Sequence, residues 1–242
     1  MNDNELYRFD GYTTPVQAQD DLALREVVAR VMRKVYGKMF LGLLVTALTS
    51  FAVISNSTLL NMLFSHQAVF WVLIALELGL VFAISGAINK LSSGTATALF
   101  YLYSMVNGLV LTPIFFVYTM SSIGFTFLIA SLTFGAMTIF GYFTRDDLSK
   151  FGAILFMALI GLIVCVVINI FLQSSAMEWV ISIAGVLIFV GLTAWDTQKI
   201  KQMVAMNDET QVGKVATLGA LSLYLDFINL FIYLLRIFGS RD

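Results

Sequence analysis

The chain has 242 residues, of which 59% are hydrophobic and only 12% are charged. Its mean hydropathy of +0.89 lies well above that of soluble domains, so the composition predicts an integral membrane protein. The formal net charge of -1 and the lack of any basic run with interleaved aromatic residues exclude nucleic-acid binding. A single cysteine, Cys165, excludes an internal disulfide.

Seven apolar stretches each approach the ~20 residues that are needed to cross the hydrocarbon core of a bilayer. Because backbone polar groups in lipid must be satisfied within the segment, the stretches are predicted to be helices. The sequence therefore predicts an all-α integral membrane protein with a seven-helix domain at 36–242, after a polar cytoplasmic segment at 1–35 that contains an interfacial helix. The predicted spans are residues 39–56, 69–88, 97–118, 123–143, 151–173, 178–198 and 216–237.

The distribution of lysine and arginine predicts the orientation of the chain. Basic residues precede the first span and occupy the second, fourth and sixth connections, whereas the first, third and fifth connections have none. The positive-inside rule therefore predicts a cytoplasmic N-terminus. Arg236 and Arg241 depart from the rule if the last segment crosses completely; the alternative is a segment that dips in and returns, with the C-terminus inside. The length of this segment favours a full crossing.

Three acidic residues lie inside predicted spans, although ionisable groups cost about 2.5 to 3.5 kcal/mol each there and usually face the bundle interior. They are Glu77, Asp196 and Asp226. In the last segment, small and polar residues recur at spacings of three and four, which places them on one helix face while the other faces are apolar. Such a helix is expected to pack at the centre of the bundle. The stripe comprises Gly219, Ser222, Asp226, Asn229, Tyr233 and Arg236.

The rise of ~1.5 Å per residue predicts the depth of each charge. Asp226 lies ~15 Å from the start of its segment, near the middle of the bilayer, and Asp196 lies near the inner end of the sixth segment. The two aspartates are expected to meet in the inner half of the membrane. Glu77 lies ~12 Å below the outer surface, within reach of Arg236. The resulting prediction is an ordered column that runs from Arg236 and Glu77 through Asp226 to Asp196.

Two neighbouring carboxyl groups in a low dielectric are expected to share a proton, and its loss creates an anionic pocket that suits Ca²⁺. Asp196 and Asp226 are therefore the predicted pH-sensing pair and metal ligands. Each acidic residue also has a structural interpretation. Asp196 is then a solvated interfacial carboxylate, Asp226 a neutral residue bonded to Ser222 or Asn229, and Glu77 a protonated packing residue.

Three motifs give the chain a resemblance to a known family. They are GLTAWDTQKIK at 191–201, LGALSLYLDFINLFIYLLRIFG at 218–239 and FGAMTIFGYFTRDDLSKFG at 134–152. With these motifs, the chain after residue 30 resembles the Bax inhibitor-1 family and is similar to its bacterial members. The resemblance implies seven helices with the last one surrounded by the other six. It also implies a pH-sensitive calcium leak in which Asp196 and Asp226 share a proton.

The resemblance further implies an acidic residue in the second helix opposite an arginine late in the last one, at Glu77 and Arg236. One feature departs from the bacterial pattern, in which an arginine near the inner end of the second helix latches the aspartate pair. Here that region reads GAINKL, and its only basic residue is Lys90, about two positions further along. A lysine replaces a bidentate guanidinium poorly, so we expect closure to be weaker or differently built. Lys90, Ser222 and Asn229 are the candidates for closure or for helix–helix contact.

The predicted function is a pH-sensitive calcium leak of a bacterial cytoplasmic membrane, with the bilayer, Ca²⁺ and H⁺ as its partners and no cofactor. The alternative is a regulatory membrane protein that binds a membrane-anchored protease or another quality-control partner through residues 1–33. No enzymatic activity is expected. The sequence has no nucleotide-binding glycine pattern, no zinc-spaced His/Cys cluster and no nucleophile with a histidine in the same membrane layer.

Overall fold

Helices account for nearly all of the computed structural model, which describes residues 15–207 and 211–240, with side chains from residue 22 onward. Nine helices and no extended strand occur within these ranges. Their bounds are α1 Pro15–Ile54, α2 Ser57–Phe64, α3 Gln67–Ala87, α4 Ser93–Leu111, α5 Ile114–Val117, α6 Met120–Phe143, α7 Ser149–Leu172, α8 Ser175–Met206 and α9 Val212–Phe238.

Seven of these helices are long and apolar enough to cross a membrane, which confirms the seven predicted spans. The predicted interfacial helix and the first span are one continuous helix, α1, which passes through residue 35 without a break. Its early residues Val28, Val31 and Val35 are buried in the core. Of the predicted partner surface at 1–33, residues 1–14 lie outside the described part of the chain.

Polar residues at the predicted breaks start the helices. Asn56, Ser92, Thr119 and Ser174 accept hydrogen bonds from first-turn N–H groups of α2, α4, α6 and α8. Such caps satisfy donors that have no partner within the helix. The third predicted span is interrupted, because α4 ends just before Pro113 and α5 follows as a single turn.

The last helix, α9, occupies the centre of the bundle, as predicted. In the most apolar 18-residue segment of α9, 67% of the residues are buried, whereas 11% to 44% are buried in the corresponding segments of the other six spans. It packs extensively against α1, α4, α6 and α8, while α3 packs mainly on α4 and α7 packs on α8. Four helices therefore form the inner shell around α9, and two lie outside that shell.

Two glycines let neighbouring helices approach α8 closely. A Cβ atom on Gly141 of α6 would overlap the backbone of Ala194, and one on Gly152 of α7 would overlap the Trp195 ring. Both glycines belong to the motif at 134–152, and both contacts fall on the motif at 191–201. The two motifs therefore pack on each other and fix the part of α8 that carries Asp196.

The two ends of α9 lie on opposite sides of the bundle. Near its start, the Lys214 ammonium donates to the Asn89 carbonyl, 3.0 Å away, just before α4 begins. Beyond its end, the Ser240 carbonyl accepts from the Thr119 N–H at 3.3 Å, beside the start of α6. Since α4 leads from one of these ends to the other, α9 makes the full crossing that its length favoured.

Candidate gating site

The polar stripe of α9 faces α8. A Cβ atom on Gly219 would press against the Ile200 side chain, and one on Gly185 would overlap the Tyr233 ring. Gly219 is the first residue of the stripe and Tyr233 lies near its other end, and both contact the same helix. Asp226 lies between them and is therefore directed toward α8, as the spacing of the stripe requires.

A cavity of about 250 Å³ bounded by α7, α8 and α9 is lined by both predicted aspartates, Asp196 and Asp226. Lys199 and Ser222 also line it. The structure thus brings together the two carboxyl groups that were predicted to meet in the inner half of the membrane. The rest of the wall is apolar or aromatic and comprises Phe156, Leu159, Phe189, Leu192, Trp195 and Leu225.

Burial decreases along this cavity from the core to the surface. Asp226 is only 4% exposed, and its Oδ2 atom has no hydrogen-bond partner among the described residues. Asp196 is half-buried and Lys199 is exposed, with its ammonium 4.6 Å from the centre of the Trp195 ring. A buried carboxyl group without a hydrogen bond is costly when it is charged.

The structural interpretation of Asp226 required a hydrogen bond to Ser222 or Asn229. The Asn229 amide instead donates to the Leu225 carbonyl of its own helix, at 2.8 Å. Ser222 shares the cavity, but in the part of the chain that the structure describes no hydrogen bond joins it to the Asp226 carboxyl. Neither candidate therefore accounts for the buried carboxyl group.

A lysine near the start of the first span ties α9 to its neighbours. Lys90, the predicted closure residue, is exposed in the turn after α3. The ammonium of half-buried Lys38 donates instead to Thr97 Oγ1 at 2.7 Å, Thr217 Oγ1 at 2.6 Å and the Gly213 carbonyl at 3.5 Å. This Lys38 clamp joins α1, α4 and α9. In the sequence, Lys38 is distinguished only as the last basic residue before the first apolar stretch.

Glu77 belongs to a second polar cluster on another side of α9. The Asn107 amide donates to Glu77 Oε1 at 2.6 Å, and the Tyr224 hydroxyl donates to Asn107 Oδ1 at 3.0 Å. The Tyr224 hydroxyl also lies 2.5 Å from Thr46 Oγ1. This Tyr224 network links α1, α3, α4 and α9. Sequence reasoning missed Tyr224, although a tyrosine in the middle of an apolar helix indicates a buried partner for its hydroxyl.

The predicted pair of Glu77 with Arg236 is not formed in the structure. The Arg236 guanidinium lies 5.4 Å from the centre of the Tyr233 ring, whereas Glu77 bonds across to α4. Tyr224 and Asp226 are two residues apart, so their side chains point ~200° apart around α9. The single predicted column is therefore two separate polar sites on different sides of the central helix.

The aspartate pair is a sparse set of ligands for a metal. No three His, Cys, Asp or Glu residues converge on a metal position within the described ranges. A firmly held Ca²⁺ takes six to eight oxygen ligands, of which this cavity supplies two carboxyl groups. The two carboxyl groups alone do not complete such a coordination shell.

Tyr224→Phe is expected to destabilise the protein by about 1 kcal/mol, because hydrogen bonds between membrane helices contribute about 0.6 to 1.7 kcal/mol each. The variant removes both contacts of the hydroxyl and leaves Asn107 Oδ1 without its donor. Reversible unfolding in mixed detergent measures this loss. Tyr101→Phe is the control, since that half-buried hydroxyl has no hydrogen bond among the described residues. Equal stability of the two variants would contradict a stabilising role for the network.

Comparison with known proteins identifies the family. The profile of the family described as "Inhibitor of apoptosis-promoting Bax1" matches residues 28–242. The chain belongs to the Bax inhibitor-1 family. Both aspartates, the Lys38 clamp and the Tyr224 network lie within the matched residues.

Several bacterial proteins are similar to this chain over most of their length. The inner membrane protein YbhL of Escherichia coli strain K12 is 47% identical over 213 residues, which cover 87% of this chain and 91% of YbhL. A protein of Borreliella burgdorferi is 48% identical over 214 residues, covering 88% and 92%. A membrane protein of Streptococcus pyogenes serotype M6 is 37% identical over the full length of both chains.

Proposed function

We propose that this protein is a pH-sensitive calcium leak of a bacterial cytoplasmic membrane, with its N-terminus in the cytoplasm and Asp196 and Asp226 as its gate. One observation carries the proposal. Asp226 is a buried carboxyl group with an unpartnered oxygen, and it shares a cavity with a second carboxyl group. Membership of the Bax inhibitor-1 family supports the same assignment.

The proposed gate works through the cost of charge in an apolar cavity. When the pair retains a proton, at most one negative charge lies between α8 and α9, and the close packing of these helices persists. When the last proton leaves, two like charges face each other beside the aromatic and aliphatic wall. Water and a cation lower the energy of that state, so the helices separate to admit them.

Calcium is the transported ion in this proposal. Two ionised carboxylates attract a hard divalent cation, and their small number of ligand oxygens favours release over retention. Lys199, at the exposed end of the same cavity, repels a cation until both carboxylates are charged. The three groups together make calcium entry depend on the loss of protons from the pair.

Calcium entry into dye-loaded proteoliposomes tests this function. We expect flux above that of protein-free vesicles of the same lipid, low at acidic pH and rising at alkaline pH. No flux above protein-free vesicles at any pH would refute the leak. The regulator that binds a membrane-anchored protease would then be the remaining hypothesis.

A further inference from the structure

A cavity of about 630 Å³ lies at the end of the bundle where α6 and α8 end, away from the aspartate pair. The early part of α1 forms its third side. None of its lining residues belongs to the aspartate cavity, the Lys38 clamp or the Tyr224 network. The cavity is therefore separate from the proposed gate and from the two other polar clusters.

Three cations from three different segments line this cavity. They are Arg25 of α1, Arg145 of the connection after α6, and Lys201 of α8. No acidic residue occurs among the described residues of its wall. The convergence of three positive charges without a carboxylate favours an anionic ligand, because like charges repel one another unless an anion lies between them.

Lys201 is held in place within this cavity. Its ammonium donates to the Tyr142 carbonyl and lies 4.8 Å from the centre of the Tyr142 ring. The side chain is half-buried, whereas Arg25 and Arg145 are exposed. The cavity thus has one positioned cation at its wall and two guanidinium groups that reach an anion from the outside.

The same cavity has an apolar edge at the depth of lipid headgroups. The helices α1 and α8 have 40 and 32 residues, so their lengths of ~60 Å and ~48 Å exceed the ~30 Å hydrocarbon core, and their ends reach the headgroup layer. Beside the cations, Leu24 is 43% exposed and Phe143 is 73% exposed. A ligand that is anionic at one end and apolar at the other matches both features.

We propose that this cavity binds the phosphate-bearing headgroup of an anionic phospholipid. Arg25, Arg145 and Lys201 contact the phosphate and any second acidic group of the headgroup, and guanidinium groups bind phosphate oxygens in pairs. Leu24 and Phe143 contact the first carbons of the acyl chains. Free inorganic phosphate satisfies the cations but leaves this apolar edge without a contact, so the lipid is the favoured source of the phosphate.

Native mass spectrometry of the full-length protein in non-ionic detergent tests the proposal. Phosphatidylglycerol and phosphatidylcholine with identical acyl chains are titrated separately, and we expect phosphatidylglycerol to bind more tightly. Each cation near an anionic lipid surface contributes about fivefold in affinity. The triple variant Arg25→Gln, Arg145→Gln, Lys201→Gln should therefore lose on the order of a hundredfold in phosphatidylglycerol affinity.

A matched triple variant distinguishes binding at this cavity from non-specific attraction of an anionic lipid to positive charge on the protein. Arg30→Gln, Lys34→Gln and Lys150→Gln remove the same number of charges from exposed positions that do not line the cavity. Its phosphatidylglycerol affinity should stay close to that of the unmodified protein. Equal losses in the two triple variants, or equal binding of phosphatidylglycerol and phosphatidylcholine, would overturn the proposal.

Two further measurements keep the test decisive. If loss of Lys201 unfolds the protein, the double variant Arg25→Gln, Arg145→Gln alters only exposed side chains and should weaken phosphatidylglycerol binding about twentyfold to thirtyfold. Inorganic phosphate serves as a competitor and should not displace the lipid at comparable concentration. Displacement at that concentration would identify a free anion as the ligand and overturn the lipid assignment. The outcome does not depend on calcium flux.

Discussion

Asp226→Asn is expected to abolish the pH dependence of calcium flux and to hold it at the low level that the unmodified protein shows in acid. Asparagine has nearly the shape of a protonated aspartate but cannot ionise. The closed packing of α8 against α9 should therefore persist at every pH. Below the midpoint of its titration, a one-proton gate changes its ionised fraction about tenfold per pH unit, so the contrast with the unmodified protein should be large. Dye-loaded proteoliposomes at a series of pH values measure it.

Ser222→Ala is the matched control for this prediction. Ser222 lines the same cavity on the same helix face but carries no proton that titrates near neutrality. Its pH profile should follow that of the unmodified protein. Asp196→Asn should flatten the profile as Asp226→Asn does, because the pair acts as a unit. An unchanged profile in Asp226→Asn would show that the buried carboxyl group is structural.

Lys38→Met is expected to raise the calcium leak at acidic pH. Charge-assisted hydrogen bonds contribute about 1.5 to 3 kcal/mol, and a loss of about 2 kcal/mol from the closed state shifts the closed-to-open ratio up to about thirtyfold. Thr97 and Thr217 also donate to carbonyls of their own helices, so the substitution removes the tie without leaving either hydroxyl unpaired. Flux at acidic pH and the unfolding midpoint in detergent measure the two effects.

Lys34→Met is the control for the clamp, since Lys34 lies about one turn earlier on α1, is exposed and has no hydrogen bond within the described residues. It removes the same charge from the same helix and should leave acidic flux low. Lys38→Arg keeps a cation at the clamp and should retain most of the closure. If Lys38→Met leaks no more than Lys34→Met, the clamp has a structural role alone.

The features that the sequence predicted correctly depend on local patterns. Seven spans follow from the length of each apolar stretch, because the bilayer sets a nearly constant thickness. The central position of α9 follows from its stripe of small and polar residues, because such a surface must contact other helices and not lipid. Both predictions are confirmed by the structure. The layer in which Asp196 and Asp226 lie follows from a fixed rise per residue, and both line one cavity.

Only the tertiary structure decided which neighbour each polar side chain meets. The rise per residue predicted successive heights in the membrane for Glu77, Asp226 and Arg236. Height alone does not specify the direction in which a side chain points around its helix axis. Glu77 belongs to the Tyr224 network on one side of α9, whereas Asp226 faces α8 on another side. Likewise, the sequence marks Lys38 only as one of the basic residues that predict topology. Its contacts form because α4 and α9 bring Thr97 and Thr217 beside it. Local sequence determines the span, height and face of a helix, whereas partner choice depends on the packing of distant segments.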